Sequence, residues 1–498
     1  MRLTDEQKAI VACDLNPGEI LKVMAFAGTG KTSTLIEYTI ARPGFRFLYV
    51  AFNKSVQLEA QKRFPKNVIA RTSHALAFRT HGHTYKDRLV SGFRANTAMA
   101  ALDLNRYEDA RFTIITLNNY LISADPKVSG QHIPQQAKAF YSQKGEAMPD
   151  FVSLSNRLGR IMCDGSDESI GMLHDGYLKL YQLSHPKLNY DCILLDEAQD
   201  INPVTSAFIL EQADPNDGRR PASIILVGDS HQQIYSFRGA KNTLYRIKSS
   251  RTMYLTRSFR FDNNVARVAN MILGVLKGEK KRVVGRPVNK ADKPKWNPRR
   301  YTVIARTNAA LFDKAVELYK TKKIGFVGGV EKYRLSAIRD TYFLYARKSS
   351  QIEDRYIKSF DSYTDLKMYA GAVEDVELFS VCKVVENHGA AIPVLVEKII
   401  ENNVDLEEAE VVLTTAHKSK GLEWDNVLLL GDFPVLVEKG EVVDDLEPDE
   451  YNLVYVAMTR AKSRLKFDKG NSVPEFIRFV RKLKADRLKK RFKYGSGT

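Results

Sequence analysis

The sequence predicts an α/β protein with two parallel-sheet units, each interrupted by a mainly helical insertion. Two apolar runs near the start, Leu21–Phe26 and Phe45–Phe52, alternate with helical segments. This order builds a parallel sheet that is covered on both faces. Two later runs, Cys192–Asp196 and Ser223–Gly228, are also short and apolar, and both end on polar residues. Buried parallel strands typically carry functional groups at their carboxyl ends.

Strand and helix patterns divide the chain further. Strand signals fade from 73 to 186 and again from 329 to 409, where helical segments dominate. We predict a first α/β domain at 1–72 and 187–250, a helical insertion at 73–186, a second α/β domain at 251–328 and 410–485, a reduced insertion at 329–409 and a basic flexible tail at 486–498. The length is sufficient for each α/β domain to have its own core.

Composition restricts the class of protein and its partners. The chain has 76 basic and 59 acidic residues, a formal charge of +17. Such a surface attracts a polyanion such as nucleic acid. The alternative is that the net charge only keeps the protein soluble. No apolar stretch approaches the length of a membrane helix, and the start of the chain has no signal-peptide pattern. We expect a cytoplasmic protein without a membrane partner.

Ala25 to Thr32 form a candidate phosphate-binding loop. Gly30, Lys31 and Thr32 match the pattern G-x-x-x-x-G-K-[ST], while Ala25 stands at the first glycine position. We expect Lys31 to neutralise charge on the β- and γ-phosphates and the Thr32 hydroxyl to ligate Mg²⁺. A glycine turn with a chance lysine is the alternative. The predicted nucleotide contacts of this segment are Gly28, Thr29, Gly30, Lys31, Thr32 and Ser33.

Two further strand ends carry candidate catalytic groups. Asp196 follows an apolar strand and is a candidate ligand of the same Mg²⁺, while its neighbour Glu197 is placed to polarise the attacking water. Gln232 lies shortly after the next strand and is expected at the γ-phosphate or its water. Tyr235 and Phe237 follow closely, and we expect them to stack on bases. Core packing is the alternative for both aromatic residues.

Two arginines of the second α/β unit are candidate arginine fingers. Arg260 lies in Ser258-Phe259-Arg260, and Arg460 lies in Met458-Thr459-Arg460-Ala461. If the second unit faces the first across a cleft, both side chains would reach the γ-phosphate. An ordinary surface salt bridge is the alternative for each of them.

The order of these motifs resembles superfamily 1 helicases of the UvrD/Rep/PcrA group, over about residues 1 to 470. The segment Asp196–Asp200 resembles the second motif of the family and Gly228–Ala240 the third. Arg257–Arg260 is similar to the fourth motif, Thr415–Trp424 to the fifth and Tyr455–Lys462 to the sixth.

The resemblance implies roles for individual residues. Gln7 is expected to read adenine, Phe259 stands where a tyrosine commonly stacks on adenine, and Glu423 is expected at the ribose. His417 is expected near DNA. The complete set of implied DNA contacts is Phe52, Asn53, Thr72, His74, Tyr235, Phe237, Arg238 and His417.

The resemblance also implies a fold and an activity. We expect two RecA-like domains with ATP between them, Mg²⁺ as the second cofactor, and ATP hydrolysis coupled to 3′→5′ movement on single-stranded DNA. Tailed duplex DNA and proteins of DNA repair, recombination or replication are the implied partners. We also expect a monomer of bacterial or phage-like origin that associates with the nucleoid when it is bound to DNA.

Within the group the chain looks closest to the F-box DNA helicases, on the segment His174–Lys179 and the phenylalanine at 237. Because Gln7 lies almost at the start, we expect no F-box before the core. The reduced second insertion leaves a rival within the motor class, which is a translocase that strips proteins from DNA or powers a partner without unwinding. A DNA-binding subunit that uses ATP as a switch is a rival from another class. The set Glu197, Gln232, Arg260 and Arg460 argues against a switch.

Overall fold

The computed structural model describes most of the chain as two compact units. The described ranges are 2–218, 220–234, 243–287, 295–372 and 375–494. The units are Met1–Thr256 and Arg257–Thr498, and each is built on its own parallel sheet.

The first unit contains a six-stranded sheet in which every pairing is parallel, and a separate pair of two-residue strands. Its strands are β1 (Ile20–Ala25), β2 (Phe47–Ala51), β3 (Val68–Thr72), β4 (Leu89–Val90), β5 (Met172–Leu173), β6 (Cys192–Leu195), β7 (Ser223–Gly228) and β8 (Arg251–Leu255). The spatial order in the sheet is β3-β2-β6-β7-β1-β8. The carboxyl ends of β6, β7 and β1 therefore lie side by side.

Burial explains the apolar character of these strands. Every residue of β2, β6 and β7 is buried, as expected for a parallel sheet covered on both faces. Leu194 and Ile225 join one hydrophobic cluster, whereas their neighbours Ile193 and Ile224 join another. The two clusters occupy opposite faces of the sheet because successive side chains of a strand alternate.

Helices of the first unit cover these faces. They are α1 (Asp5–Val11), α2 (Lys31–Ile40), α3 (Lys54–Arg63), α4 (Ser73–Thr80), α5 (Ala95–Leu102), α6 (Tyr107–Leu121), α7 (Gln135–Lys144), α8 (Phe151–Cys163), α9 (His174–Leu183), α10 (Pro203–Leu210) and α11 (Thr243–Arg246). Several begin at a side-chain cap, including Thr4 for α1 and Asp150 for α8.

The segment 73–186 contains α4 to α9 and also the parallel pair β4–β5. Leu117 of α6 and Leu158 of α8 are almost completely buried in the same cluster as Leu48 and Val50 of the sheet. This segment therefore shares its core with one face of the sheet.

Strand β8 belongs to the first sheet, although the sequence analysis assigns 251 onwards to the second α/β domain. Val23 of β1 pairs with Met253 of β8, and the division between the compact units falls after Thr256. The difference arises because pairing with a strand more than two hundred residues earlier leaves no mark in the local pattern.

The second unit contains a five-stranded sheet in which every pairing is parallel, and two separate pairs of strands. Its strands are β9 (Arg257–Asp262), β10 (Val284–Arg286), β11 (Tyr301–Ala305), β12 (Ile324–Phe326), β13 (Val411–Thr415), β14 (Trp424–Leu429), β15 (Val437–Glu438), β16 (Glu441–Val442) and β17 (Ala461–Phe467). The spatial order in the sheet is β12-β13-β11-β14-β17. Strands β9 and β10 form a parallel pair, and β15 and β16 form an antiparallel pair. The helices are α12 (Asn263–Leu276), α13 (Asn308–Leu318), α14 (Leu335–Tyr345), α15 (Arg355–Lys358), α16 (Tyr363–Ala372), α17 (Val376–His388), α18 (Ile392–Glu401), α19 (Pro448–Met458) and α20 (Val473–Tyr494).

The segment 329–409, predicted as a reduced insertion, contains α14 to α18. Val385 of α17 and Ile399 of α18 are completely buried in one cluster with Val303 and Val411 of the sheet. A smaller cluster around Leu366 lies within the segment. The segment therefore packs directly on the sheet through α17 and α18.

Helix α20 corrects the predicted tail. It extends through Tyr494, so the prediction of flexible chain from 486 is wrong for 486–494, while 495–498 lie outside the described residues. Phe476 and Val480 are buried and anchor its first turns, and the Lys- and Arg-rich sequence that follows has no helix breaker. In the described ranges, no helix has both the length and the apolar character needed to cross a membrane.

Replacing Ile399 by alanine tests whether α18 is part of the core of the second unit. We expect Ile399→Ala to lower the free energy of unfolding by about 2–5 kcal/mol, because a fully buried side chain leaves a cavity. Ile400, which is 48% exposed, provides the control, and Ile400→Ala is expected to change stability by about 0.5 kcal/mol or less. Urea unfolding followed by circular dichroism measures both, and equal effects would contradict the shared core.

Candidate nucleotide-binding site and nucleic-acid interface

The loop between β1 and α2 has the backbone that the phosphate-loop pattern requires. Gly28 and Gly30 adopt φ angles of 73° and 78°, in the left-handed region that favours glycine. Gly30 is the N-cap of α2 and provides no side chain, so no N-cap side chain engages the first backbone donors of the helix. The buried Thr29 hydroxyl donates to the carbonyl of Phe26 at 2.8 Å and fixes the turn. Such a helix start suits an anionic ligand.

Lys31 and Thr32, at the start of α2, contact the acidic pair that follows β6. Lys31 Nζ lies 2.6 Å from Glu197 Oε2, and Thr32 Oγ1 donates to Asp196 Oδ2 at 2.8 Å. Burial would lower the pKa of Lys31, but the negative charges of Glu197 and Asp196 outweigh it and raise this pKa. The lysine is therefore held in its charged form. The structure brings together four residues that are far apart in sequence.

Asp196 is buried and receives several donors. Its Oδ2 accepts hydrogen bonds from Thr32 and from the hydroxyl of Tyr49 at 2.8 Å, and its Oδ1 accepts from the backbone N–H of Glu197. Burial, followed by the neighbouring Glu197 charge, raises the pKa of Asp196, while Lys31 and the hydroxyls oppose that rise. A carboxylate beside a threonine hydroxyl is the type of oxygen pair that Mg²⁺ uses together with nucleotide phosphates.

Glu197 stands in an unusual backbone conformation. Its φ of 50° lies in the left-handed region, which is uncommon for a residue with a side chain. The carboxylate accepts from Gln199 Nε2 at 2.6 Å in addition to Lys31. These contacts hold Glu197 beside the loop at the edge of the sheet, and backbone strain of this kind is concentrated at functional sites.

A buried amide network connects the acidic pair to the end of β7. Gln199 Oε1 accepts from the backbone N–H of Asp229 at 3.0 Å, and Asp229 Oδ2 accepts from Gln232 Nε2 at 2.6 Å. Gln199 thus joins Glu197 to the segment that carries Gln232. Gln199 and Asp229 lie within the predicted second and third motifs, but neither residue is among the site residues predicted from the sequence. The signal available in the sequence was their position shortly after apolar strands, where the functional groups of a parallel sheet collect.

Gln7 and Ser33 make protein contacts in this arrangement. Gln7 is buried, its Oε1 accepts from the backbone N–H of Thr4, and its Nε2 donates to Thr34 Oγ1 at 3.0 Å. It therefore completes the capping box of α1 and ties that helix to α2. Reading of adenine by Gln7 stays a prediction and requires these bonds to exchange. Ser33 Oγ accepts from Arg63 at 3.4 Å.

The ends of β2 and β3 carry the predicted DNA contacts. Asn53 caps α3 through Val56 N–H at 2.9 Å, and Thr72 caps α4 through Ala75 N–H at 3.1 Å. Both side chains therefore have a structural function as helix caps. Phe52 is 43% exposed, a high value for a phenylalanine at the end of a buried strand.

A cavity of about 700 Å³ joins several of these positions. Phe52, Asn53 and His74 line it together with Asp175 and Asp200, whereas Thr72 does not. His74 Nε2 lies 3.1 Å from Asp175 Oδ1. The cavity therefore combines an aromatic ring, an imidazole and amides with two carboxylates. The other predicted contacts of the first unit, Tyr235, Phe237 and Arg238, lie outside the described residues.

Arg260 and Glu423 meet in the second unit. Arg260, on β9, donates through Nε to Glu423 Oε2 at 2.7 Å. Its Nη1 is buried and has no hydrogen-bond partner among the residues that the structure describes. A buried guanidinium donor of this kind is costly unless an anion satisfies it. The adjacent Phe259 is partly buried.

Arg460 is buried, unlike a surface salt-bridge arginine. It is 1% exposed, and it donates through Nε to the carbonyl of Val456 at 2.9 Å and through Nη1 to that of Leu422 at 3.3 Å. These bonds connect the end of α19 to the chain before β14. The alternative of an ordinary surface salt bridge is therefore wrong for Arg460. The action of Arg460 on a phosphate stays a prediction.

His417 lies in the turn after β13 and is partly buried. The next residue, Lys418, donates to the carbonyl of Lys332 at 2.5 Å and lies 3.4 Å from the centre of the Tyr333 ring. Burial lowers the pKa of Lys418 to about 8. Lys418 is not among the site residues predicted from the sequence, but its contacts hold the turn that carries His417.

Comparison with known proteins gives relatives of similar sequence. F-box DNA helicase 1 of Gallus gallus is 36% identical over 502 residues, which cover 93% of this chain and 49% of that protein. F-box DNA helicase protein 1 of Schizosaccharomyces pombe is 32% identical, over 93% of this chain and 57% of its own length. A probable DNA helicase of Mycoplasma pneumoniae is 24% identical over 98% of this chain and 88% of that protein. The chain thus spans about half the length of the F-box DNA helicases that it matches.

Two family models match separate parts of the chain. The UvrD/REP helicase N-terminal domain matches residues 175–252, and the UvrD-like helicase C-terminal domain matches residues 346–470. The chain therefore contains regions similar to the N-terminal and the C-terminal domain of UvrD-like helicases.

These matches confirm the predicted resemblance to the UvrD group of helicases and the predicted α/β fold with two RecA-like parallel sheets. The matched ranges include Asp196 and Glu197, but not the loop at 25–32. Geometry connects that loop to them, through the contacts of Lys31 and Thr32.

Gly228→Ala tests the amide network that joins Glu197 to Asp229. A Cβ at Gly228 would lie 2.2 Å from Gln199 Oε1 and would force this side chain away from the Asp229 N–H. We expect ATP hydrolysis to fall by about 10- to 100-fold, because catalytic groups lose their alignment. Gly159→Ala, whose Cβ would meet Leu117 at an ordinary 3.5 Å, is the control in a steady-state ATPase assay. Equal rates for the two variants would show that the network is dispensable.

Proposed function

We propose that this chain is an ATP-dependent DNA helicase that moves along single-stranded DNA with 3′→5′ polarity. The observation that carries the proposal is the joint contact of Lys31 with Glu197 and of Thr32 with Asp196. These contacts assemble a lysine, a hydroxyl and two carboxylates at the start of a helix, within a chain that contains regions similar to both domains of UvrD-like helicases. Hydrolysis of a nucleoside triphosphate needs these groups at this spacing.

Nucleotide chemistry follows from this arrangement. Bound Mg²⁺ would neutralise charge on the phosphates, with Thr32 and Asp196 as its protein ligands. Phosphate oxygens would compete for Lys31 and release Glu197 from the ion pair. Glu197 would then accept a proton from the attacking water, while Gln232 would orient that water. Hydrolysis is thereby linked to occupancy of the loop, because Glu197 is neutralised by Lys31 until phosphates arrive.

The cavity beside Phe52 and His74 is the proposed contact for single-stranded DNA. Two carboxylates, Asp175 and Asp200, line it and would repel phosphate groups. The partly exposed ring of Phe52 and the imidazole of His74 suit a base instead. We therefore infer that this cavity takes a base or sugar, and that the basic surface of the protein attracts the phosphate backbone.

Arg260 and Arg460 are proposed to stabilise charge on the γ-phosphate, in agreement with their motif positions. The buried Nη1 of Arg260 is a donor suited to an anion. Gln7 and Phe259 are proposed to contact adenine and Glu423 the ribose. The full motor is proposed to act as a monomer on tailed duplex DNA in the cytoplasm, at the nucleoid, in repair, recombination or replication.

A translocase that displaces proteins from DNA without unwinding is the second candidate. The observation that favours it is the shared core of segment 329–409 and the sheet, through Val385 and Ile399. A segment packed in this way has little freedom to act as a separate arm on a duplex. Both candidates hydrolyse ATP on single-stranded DNA and differ only in strand separation.

Lys31→Ala tests the hydrolytic proposal. We expect loss of DNA-stimulated ATP hydrolysis, because the variant removes the cation for the β- and γ-phosphates and the salt bridge that Lys31 makes with Glu197. Steady-state phosphate release with single-stranded DNA measures the change. Lys62→Ala, at an exposed lysine in the last turn of α3, is the matched control. Hydrolysis by Lys31→Ala at the wild-type rate would reject the assigned site.

Unwinding assays separate the candidates and test the polarity. Duplexes with a 3′ tail, a 5′ tail or blunt ends are incubated with the chain and ATP, and ATPase is measured on single-stranded DNA and RNA. We expect unwinding of the 3′-tailed duplex and stimulation by DNA. Hydrolysis without unwinding of any duplex favours the translocase, and unwinding of the 5′-tailed duplex alone overturns the polarity. Slow hydrolysis that ignores DNA would indicate a nucleotide switch.

A further inference from the structure

Tyr49 places a hydroxyl group inside the core of the first unit. It lies on β2, is completely buried, and packs in the same hydrophobic cluster as Leu21, Val23 and Leu194. The other members of the strand are Phe47, Leu48, Val50 and Ala51, which are all apolar. A hydroxyl at such a position is unfavourable unless it is hydrogen-bonded, and phenylalanine would fill the same space without this penalty.

The Tyr49 hydroxyl is directed at Asp196. It donates to Asp196 Oδ2 at 2.8 Å, the same oxygen that accepts from Thr32 Oγ1. Oδ1 is oriented by the backbone N–H of Glu197. Thr32 and Asp196 are the proposed Mg²⁺ ligands, whereas Tyr49 is not. Its hydrogen bond therefore orients the carboxylate whether or not an ion or nucleotide engages Thr32.

Packing fixes the ring that carries this hydroxyl. The ring centre of Tyr49 lies 4.8 Å from that of Phe64, the residue that ends α3, at an interplanar angle of 45°. The start of α3 is capped by Asn53, which follows the exposed Phe52 at the end of β2. The strand and helix that present the proposed DNA contacts thus also hold the tyrosine in place.

We propose that Tyr49 is a positioning residue that orients Asp196 for Mg²⁺ and so sets the affinity of the nucleotide site for the metal. This inference rests on the proposed function of the loop and the acidic pair. Partners that orient metal ligands typically contribute about 10- to 100-fold in metal affinity. The effect of losing the hydroxyl is therefore on metal binding, with the fold and the nucleotide contacts of Lys31 retained.

The test removes only the hydroxyl, in Tyr49→Phe. The full chain is saturated with ADP and titrated with Mn²⁺ as a paramagnetic substitute for Mg²⁺, and free Mn²⁺ is followed by electron paramagnetic resonance. We expect affinity for Mn²⁺ to fall by about 10- to 100-fold. In ATPase assays the half-saturating Mg²⁺ concentration should rise by a similar factor, and kcat should recover at saturating Mg²⁺.

Tyr38→Phe is the matched control. Tyr38 is almost completely buried in the same cluster, but its ring packs on Phe47 and under Arg42, away from the acidic pair. Urea unfolding checks that both variants fold. Equal Mn²⁺ affinities for the two variants, or a loss of kcat that Mg²⁺ does not rescue, overturn the positioning role alone. A wild-type chain that binds no Mn²⁺ with ADP overturns the proposed function as well.

Discussion

Strands β2, β6 and β7 are buried on both faces and contain no charged side chain, so charged groups lie beyond the ends of these strands, and the candidate nucleotide site depends on this constraint. Strands β1, β6 and β7 are neighbours and end at the same edge. Lys31 and Glu197 are therefore brought within 2.6 Å although they are 166 residues apart in the chain. In water such a pair would contribute little, whereas at a largely buried edge it fixes the geometry of the loop and the acidic pair.

The same burial explains the hydrogen bonds around the pair. A carboxylate removed from water needs donors, and Asp196 obtains them from Thr32, Tyr49 and the backbone of Glu197. Gln199 performs the corresponding task between Glu197 and Asp229. Each of these groups has limited freedom, because moving one leaves another unsatisfied. A bound nucleotide would therefore act on a connected network. Its first effect would be to replace the contact of Lys31 with Glu197 by a contact of Lys31 with phosphate oxygens.

Several residues are recognisable from the sequence because their chemistry is local. The glycines at 28 and 30 follow a strand and precede a helix, so the left-handed backbone and the loop were predictable. Tyr49 and the buried environment of Arg460 were not, because an aromatic residue in an apolar run and an arginine after a helix have many ordinary uses. The assignment of β8 and the helical state of 486–494 also depended on information outside the local pattern.

The sequence by itself determined the α/β class and the resemblance to UvrD-like helicases, and it predicted the phosphate loop and the acidic pair. These features lie in short segments of the sequence, and strand and helix geometry sets the spacing of the residues within each segment. Only the tertiary structure decided which oxygen of Asp196 accepts a hydrogen bond from the Tyr49 hydroxyl. It also decided that Gln7 is engaged in a capping box and that the segment 329–409 shares the core of a sheet. The physical reason is that burial and hydrogen-bond partners are properties of distant segments brought together, and no single segment encodes them.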